Sequence, residues 1–231
     1  MMRNRLTLLF FIAFTSIVFA QPEPKHTFTV EVGMPVPLAN KAFKWVMKPE
    51  VAVSPYYQYR LPNSLTFGIG AQYAYWQINK YREPSSQPAQ GGIHTVGGFV
   101  KVGHEKFHND RFATDVGVKF GYNQTYFITD YNTKLYGKPQ QTMSASVTPT
   151  LAFILNVDEF SSYRFTIGYA FQGYPFSNQR LGVTENSGST DGSVLYPTKT
   201  VTQYLVVGFG FTHYFSKNKN TGGDSGGGDD F

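Results

Sequence analysis

The stretch Val201–Phe215, VTQYLVVGFGFTHYF, decides the fold of this chain. One set of alternate positions is Leu205, Val207, Phe209, Phe211, His213 and Phe215. The other is Tyr204, Val206, Gly208, Gly210, Thr212 and Tyr214. Successive side chains of a strand point to opposite faces, so this strand has one oily face and one narrow face. That suits a barrel wall with lipid outside and a tight interior. The rest of the chain is then expected to be more strands of the same kind.

Seven further segments carry the period of two: His26–Met34, Glu50–Arg60, Ser64–Asn79, Ile93–Val102, Arg111–Ile128, Thr142–Val157 and Tyr163–Gly173. In the second, Val51, Val53, Tyr57 and Tyr59 alternate with Glu50, Ser54, Gln58 and Arg60. In the seventh, Tyr163, Phe165, Ile167 and Tyr169 alternate with Arg164, Thr166 and Gly168. The fourth is too rich in glycine for its facing to be read. No segment shows a helical period of 3.6. The connections alternate in length, long at 35–49, 80–92, 129–141 and 174–198, short at 61–63, 103–110 and 158–162. Short turns on one side and long loops on the other mark an all-β, eight-stranded antiparallel up-and-down transmembrane β-barrel. Pro149, inside the sixth segment, cannot donate to a ladder and is expected to mark a bulge.

Two aromatic girdles are expected where the wall meets water. Tyr57, Tyr59, Phe112, Tyr163 and Phe215 fall near the short turns. Tyr73, Tyr75, Tyr122 and Tyr169 fall near the long loops.

Composition agrees. Aromatic residues are 17% of the chain and charged ones 15%, against about 25% charged in soluble domains. Residues 1–20 read as a cleaved signal peptide: Arg3 and Arg5 precede an apolar run, and Val18–Phe19–Ala20 closes it. Without those arginines 18 Lys and Arg stand against 15 Asp and Glu, too slight an excess for nucleic acid. The absence of cysteine excludes a lipoprotein anchor and disulfides. Three regions follow: a signal peptide (1–20), a barrel (21–215) and a flexible Gly- and Asp-rich tail (216–231), placed in the periplasm by the even strand count.

The inward positions carry Glu31, Glu50, Gln58, Arg60, Gln72, Asp115, Lys119, Arg164 and Gln172. An eight-stranded barrel is just wide enough for its side chains to fill, so these are expected to form an internal ion-pair and hydrogen-bond network. A narrow ion path is the sharper alternative. A lipid A-modifying enzyme would need a histidine facing a hydroxyl. His94 and His213 sit on strands beside Thr95 and Thr212, which point to the opposite face. His104 and His108 are placed in a short turn. The residues therefore suggest no catalytic group, no metal site and no cofactor. A soluble carrier of lipocalin type would turn the apolar faces inward.

The strand ending Tyr214–Phe215 resembles the terminal strand by which bacterial outer-membrane barrels are recognised for assembly. Residues 26–215 as a whole resemble the small eight-stranded outer-membrane proteins: the OmpA transmembrane domain, OmpX-type barrels and the PorT-like barrels of the Bacteroidota. The resemblance implies a non-enzymatic structural or interaction barrel, in some cases an accessory subunit of a secretion or assembly complex. Its implied surroundings are outer-membrane lipid and lipopolysaccharide. Loop 174–198 and tail 216–231 are the expected contacts with other outer-membrane or periplasmic proteins.

Overall fold

The structure, a computed structural model, describes residues 25–79, 90–174, 176, 181 and 201–215. The expected signal peptide, most of loop 174–198 and the tail lie outside the described residues.

Alternation of apolar and polar residues produces strands, and eight are present: β1 (His26–Pro37), β2 (Met47–Arg60), β3 (Leu65–Ile78), β4 (Gly91–Phe107), β5 (Phe112–Thr129), β6 (Gln140–Asn156), β7 (Ser161–Gln172) and β8 (Thr202–Tyr214). Each pairs antiparallel with its neighbours in sequence, and β8 pairs back to β1 from Thr27↔Tyr214 to Pro37↔Tyr204. Closure leaves no strand edge, so the ladder satisfies the backbone without water.

The outer wall is apolar to a degree that soluble monomers avoid. Ile69 is 65% exposed and Phe209 71%, with Val32, Val100, Val116 and Phe120 exposed among them. Such a wall suits the lipid-facing side of a membrane barrel. The nine girdle aromatics all point outward; Tyr57, Tyr59, Phe112, Tyr122, Tyr163 and Phe215 are exposed, while Tyr73, Tyr75 and Tyr169 are half-buried. The last three lean on neighbours: His94 stacks on Tyr75 with ring centroids 4.5 Å apart, and Tyr169 donates to Gln203 at 2.8 Å.

Four local features depart from the sequence reading. Among the described residues, two short helices lie in long loops: α1 (Lys41–Val46), capped by Asn40 Oδ1 accepting from Phe43 N–H at 3.2 Å, and α2 (Asp130–Tyr136), ended by Gly137 at φ 67°. Fewer than two turns leave no periodicity to read. The β-bulge falls between Pro49 and Val51. Pro149 marks none, because the pairing keeps one register from Val147↔Phe171 to Thr150↔Gly168. Finally, β4 runs on to Phe107, so His104 lies on an exposed strand face opposite Leu65 and Val116 instead of in a turn.

Candidate functional site

The inside of the barrel is filled by two unlike halves. The half nearer the short turns holds charge. The half nearer the long loops holds aromatic and aliphatic side chains.

Tyr56 on β2 is the hub of the charged half. Its hydroxyl donates to Glu31 Oε1 at 2.9 Å and accepts from Arg164 Nη1. The Lys101 and Lys119 ammonium groups each sit 5.0 Å from its ring centroid. Lys119 also donates to Glu31 Oε2 at 2.7 Å, and Thr166 Oγ1 donates to Glu31 Oε1 at 3.2 Å. Arg164 Nη2 reaches Asp115 Oδ2 at 3.2 Å and Glu105 Oε2 at 3.6 Å, while Nη1 lies 3.6 Å from Glu31 Oε1. Lys101 pairs with Asp115 and donates to Gln58 Oε1 at 2.8 Å. Gln58 Nε2 donates to Glu105 Oε2 at 3.0 Å. Arg60 closes the turn end, donating to the Glu105 carbonyl at 3.2 Å and lying 4.9 Å from the Phe107 ring centroid.

Three carboxylates thus face four cations, all out of water. Removing a charge from water costs several kcal/mol per ion unless partners surround it. Here each carboxylate has at least two. The sheet makes such density feasible by placing glycine between partners. In register, Arg164 stands opposite Gly210, and Gly210 opposite Glu31. Gln58, Gly68 and Lys101 form the same kind of row across β2, β3 and β4. A Cβ on Gly210 would fall 2.9 Å from Arg164 Cγ and 3.1 Å from Glu31 Cγ. The missing side chain is the window through which the pair meets.

The other half is a plug. Phe43 of α1 enters the mouth and meets Trp76 and Phe176 edge-on, with ring centroids 5.4 and 5.0 Å apart. Ile93, Phe127, Leu181 and Tyr204 complete it, and Trp76 Nε1 donates to the Pro35 carbonyl at 2.8 Å. Between the halves lies a cavity of about 50 Å³, lined by Glu31 and Lys119 below, Ala74 and Tyr204 above, and hydroxyls such as Thr95 and Thr148. It has room for a water or two.

Of the nine inward residues named from sequence, Glu31, Gln58, Arg60, Asp115, Lys119 and Arg164 meet in this one cluster. Gln72 joins a separate amide group, donating to Asn123 Oδ1 at 2.6 Å and to Ser146 Oγ at 3.3 Å. Gln172 donates to Thr125 Oγ1 at 3.2 Å and to Ser144 Oγ at 3.3 Å. Glu50 is not inside. It is the extra residue of the bulge and takes a surface ion pair with Lys48 at 2.9 Å. Sequence reasoning missed Tyr56, Lys101 and Glu105. Tyr56 shares the parity of Gln58 and Arg60, a signal that was there to use. Lys101 and Glu105 sit on the glycine-rich fourth strand.

The histidines lie elsewhere. His94 faces outward and shares a 2.8 Å hydrogen bond with Tyr73 Oη. His26 bonds Tyr57 on the outer wall, and His108 bonds Thr114 Oγ1 at 2.9 Å.

With this geometry in view, the comparisons are direct. No family model matches the chain, and no curated protein matches it. Among solved structures, the Neisserial surface protein A is similar at TM-score 0.50 and 13% identity, covering 82% of this chain and 97% of that one. The outer membrane protein OprG from Pseudomonas aeruginosa is similar at TM-score 0.49 and 12% identity, covering 84% and 99%. The attachment invasion locus protein Ail of Yersinia pestis, solved in complex with the heparin analogue sucrose octasulfate, gives 0.45 and 12%, covering 82% and 99%. The protein has the fold of the small eight-stranded outer-membrane barrels.

Proposed function

We propose that the chain is a non-enzymatic barrel of the bacterial outer membrane that acts through its surfaces, as a structural or interaction subunit. In its specific form it is an accessory member of a larger secretion or assembly complex, contacting partners through loop 174–198 outside and tail 216–231 in the periplasm. The observation that carries this reading is the interior. Charge cluster, small cavity and aromatic plug stand in series along it, and among the described residues the cavity between the two halves holds about 50 Å³. A pocket for a drug-sized ligand needs roughly 300 Å³ or more. What remains to engage another molecule is the outside of the barrel and its loops.

The test is gentle extraction of a tagged chain, followed by identification of what accompanies it. Other envelope proteins should co-purify, and removal of residues 174–198 and 216–231 should release them. If that deletion leaves every partner in place, the proposal fails. Lipid A from cells with and without the gene should have the same mass spectrum. A difference would replace this reading with the enzymatic one.

A further inference from the structure

The girdle at the turn end of the wall changes character on one side. Around the seam it is aromatic, with Tyr57 and Tyr59 on β2, Tyr163 on β7 and Phe215 just past β8, all exposed. On β4 and β5 it carries nitrogen and oxygen. His104 and Lys106 are successive outward positions of β4, both exposed, and Thr114 of β5 stands in register with Lys106. Thr114 is one outward position above the girdle aromatic Phe112, so this group lies within the membrane boundary.

His108 belongs to the turn, yet it is folded up against the wall. Its backbone N–H donates to the Phe112 carbonyl at 2.9 Å. Its Nε2 shares a 2.9 Å hydrogen bond with Thr114 Oγ1, and its ring leans on Phe112 with centroids 5.7 Å apart. The imidazole is therefore held beside the Lys106 position while staying exposed.

The apolar wall runs into this group without a polar break. Val96, Val100 and Val102 lead down β4 to His104, and Phe120 and Val116 lead down β5 to Thr114, all five exposed. Lipid that covers those side chains has its headgroups at Lys106 and His108. Among the described residues, no outward position of β3, β4 or β5 carries a carboxylate. Glu105 points inward to Arg164 and Gln58, and Asp110 sits in the turn beside Arg111. A lysine lays its stem on apolar surface and keeps its ammonium at the interface, where a charge-assisted bond to phosphate is strong.

We propose that Lys106 and His108 seat the phosphate of an anionic phospholipid: the ammonium pairs with its charge, and the imidazole, steadied by Thr114 and Phe112, hydrogen-bonds one of its oxygens. With the tail in the periplasm, this lipid belongs to the inner leaflet. The proposal rests on the membrane reading of the barrel and adds a place on its wall where one class of headgroup is preferred.

The test uses the full chain in phosphatidylcholine vesicles, with Trp45→Phe to lower the background. One variant carries Leu65→Trp, in register with His104, and a second Phe211→Trp, in register with Tyr163 on the seam side. Each is doped with phosphatidylglycerol or phosphatidylcholine brominated near the headgroup end of the acyl chain. Brominated phosphatidylglycerol should quench position 65 about two-fold more strongly than brominated phosphatidylcholine, and position 211 equally. Lys106→Gln with His108→Gln should abolish the preference at 65. Equal quenching by the two lipids at 65 overturns the phosphate seat and leaves the barrel in its membrane. A preference of the same size at 211, or one at 65 that survives the double substitution, overturns the assignment to these residues. Quenching at neither position overturns the membrane reading itself.

Discussion

The charged and aromatic halves of the barrel interior solve one problem by opposite means. The turn half is built wholly from strand residues whose partners are fixed by register, such as Arg164 and Glu31 on either side of Gly210. The loop half recruits groups from outside the sheet: Phe43 from α1, and Phe176 and Leu181 from beyond β7. One half is specified by the ladder itself. The other joins strand residues, Trp76, Ile93, Phe127 and Tyr204, to groups supplied from outside the ladder.

The difference can be tested by damaging each half. Arg164→Met removes the group that touches Asp115, Glu105, Glu31 and Tyr56 together. It leaves three buried carboxylates short of a cation, and breaking a buried pair costs about 3–5 kcal/mol. Urea unfolding in lipid vesicles should register that loss, and a cost under about 1 kcal/mol would show that water enters and solvates the cluster. Phe43→Ala should fall at the low end of the roughly 3–5 kcal/mol typical of such truncations, because the vacated site can partly collapse. It should alter the emission of Trp76, its neighbour, while the strand ladder keeps its amide protection. Should Phe43→Ala unfold the ladder, the two halves are one cooperative unit and the contrast is lost.

The smallest effect lies outside both. In the β6–β7 turn, Asp158 accepts from Ser161 Oγ at 2.6 Å and from Phe160 N–H at 2.7 Å. These bonds, the Ser161 one foremost, hold its carboxyl below the ordinary aspartate value. A depressed folded value stabilises the fold above the pH where the unfolded carboxyl ionises, and that contribution disappears as pH falls through the lowered value. The group is fully exposed, so the turn should respond and the barrel should not. The Phe160 amide shift should titrate below a free aspartate, and Asp158→Ala should erase that titration without moving the unfolding midpoint.

The strand order and the lipid-facing side were legible in the sequence because a period of two is a direct image of a half-buried strand. Legibility failed where that image is interrupted. Glycines at 91, 92, 97 and 98 erase the marker on β4 and hide Lys101, while Glu105 was counted into the turn at 103–110, which the strand in fact runs through to Phe107. At Glu50 the bulge shifts parity by one, so a residue counted inward lands at the surface. The plug was beyond reach for another reason. Phe43 reads as one aromatic in a loop, and only the folded mouth shows that it has somewhere to go.

The row Arg164–Gly210–Glu31 has a kinetic side as well. It crosses the seam where the first strand meets the last, and the Thr29–Thr212 hydroxyl bond beside it joins residues 183 apart in sequence. Contacts so distant carry the largest loop-closure cost and reward the chain last. Interactions that form after the transition state slow unfolding more than they speed folding. A glycine in β8 thus lets the seventh strand hold the first, and the barrel gains a latch whose effect is felt in how long it stays shut.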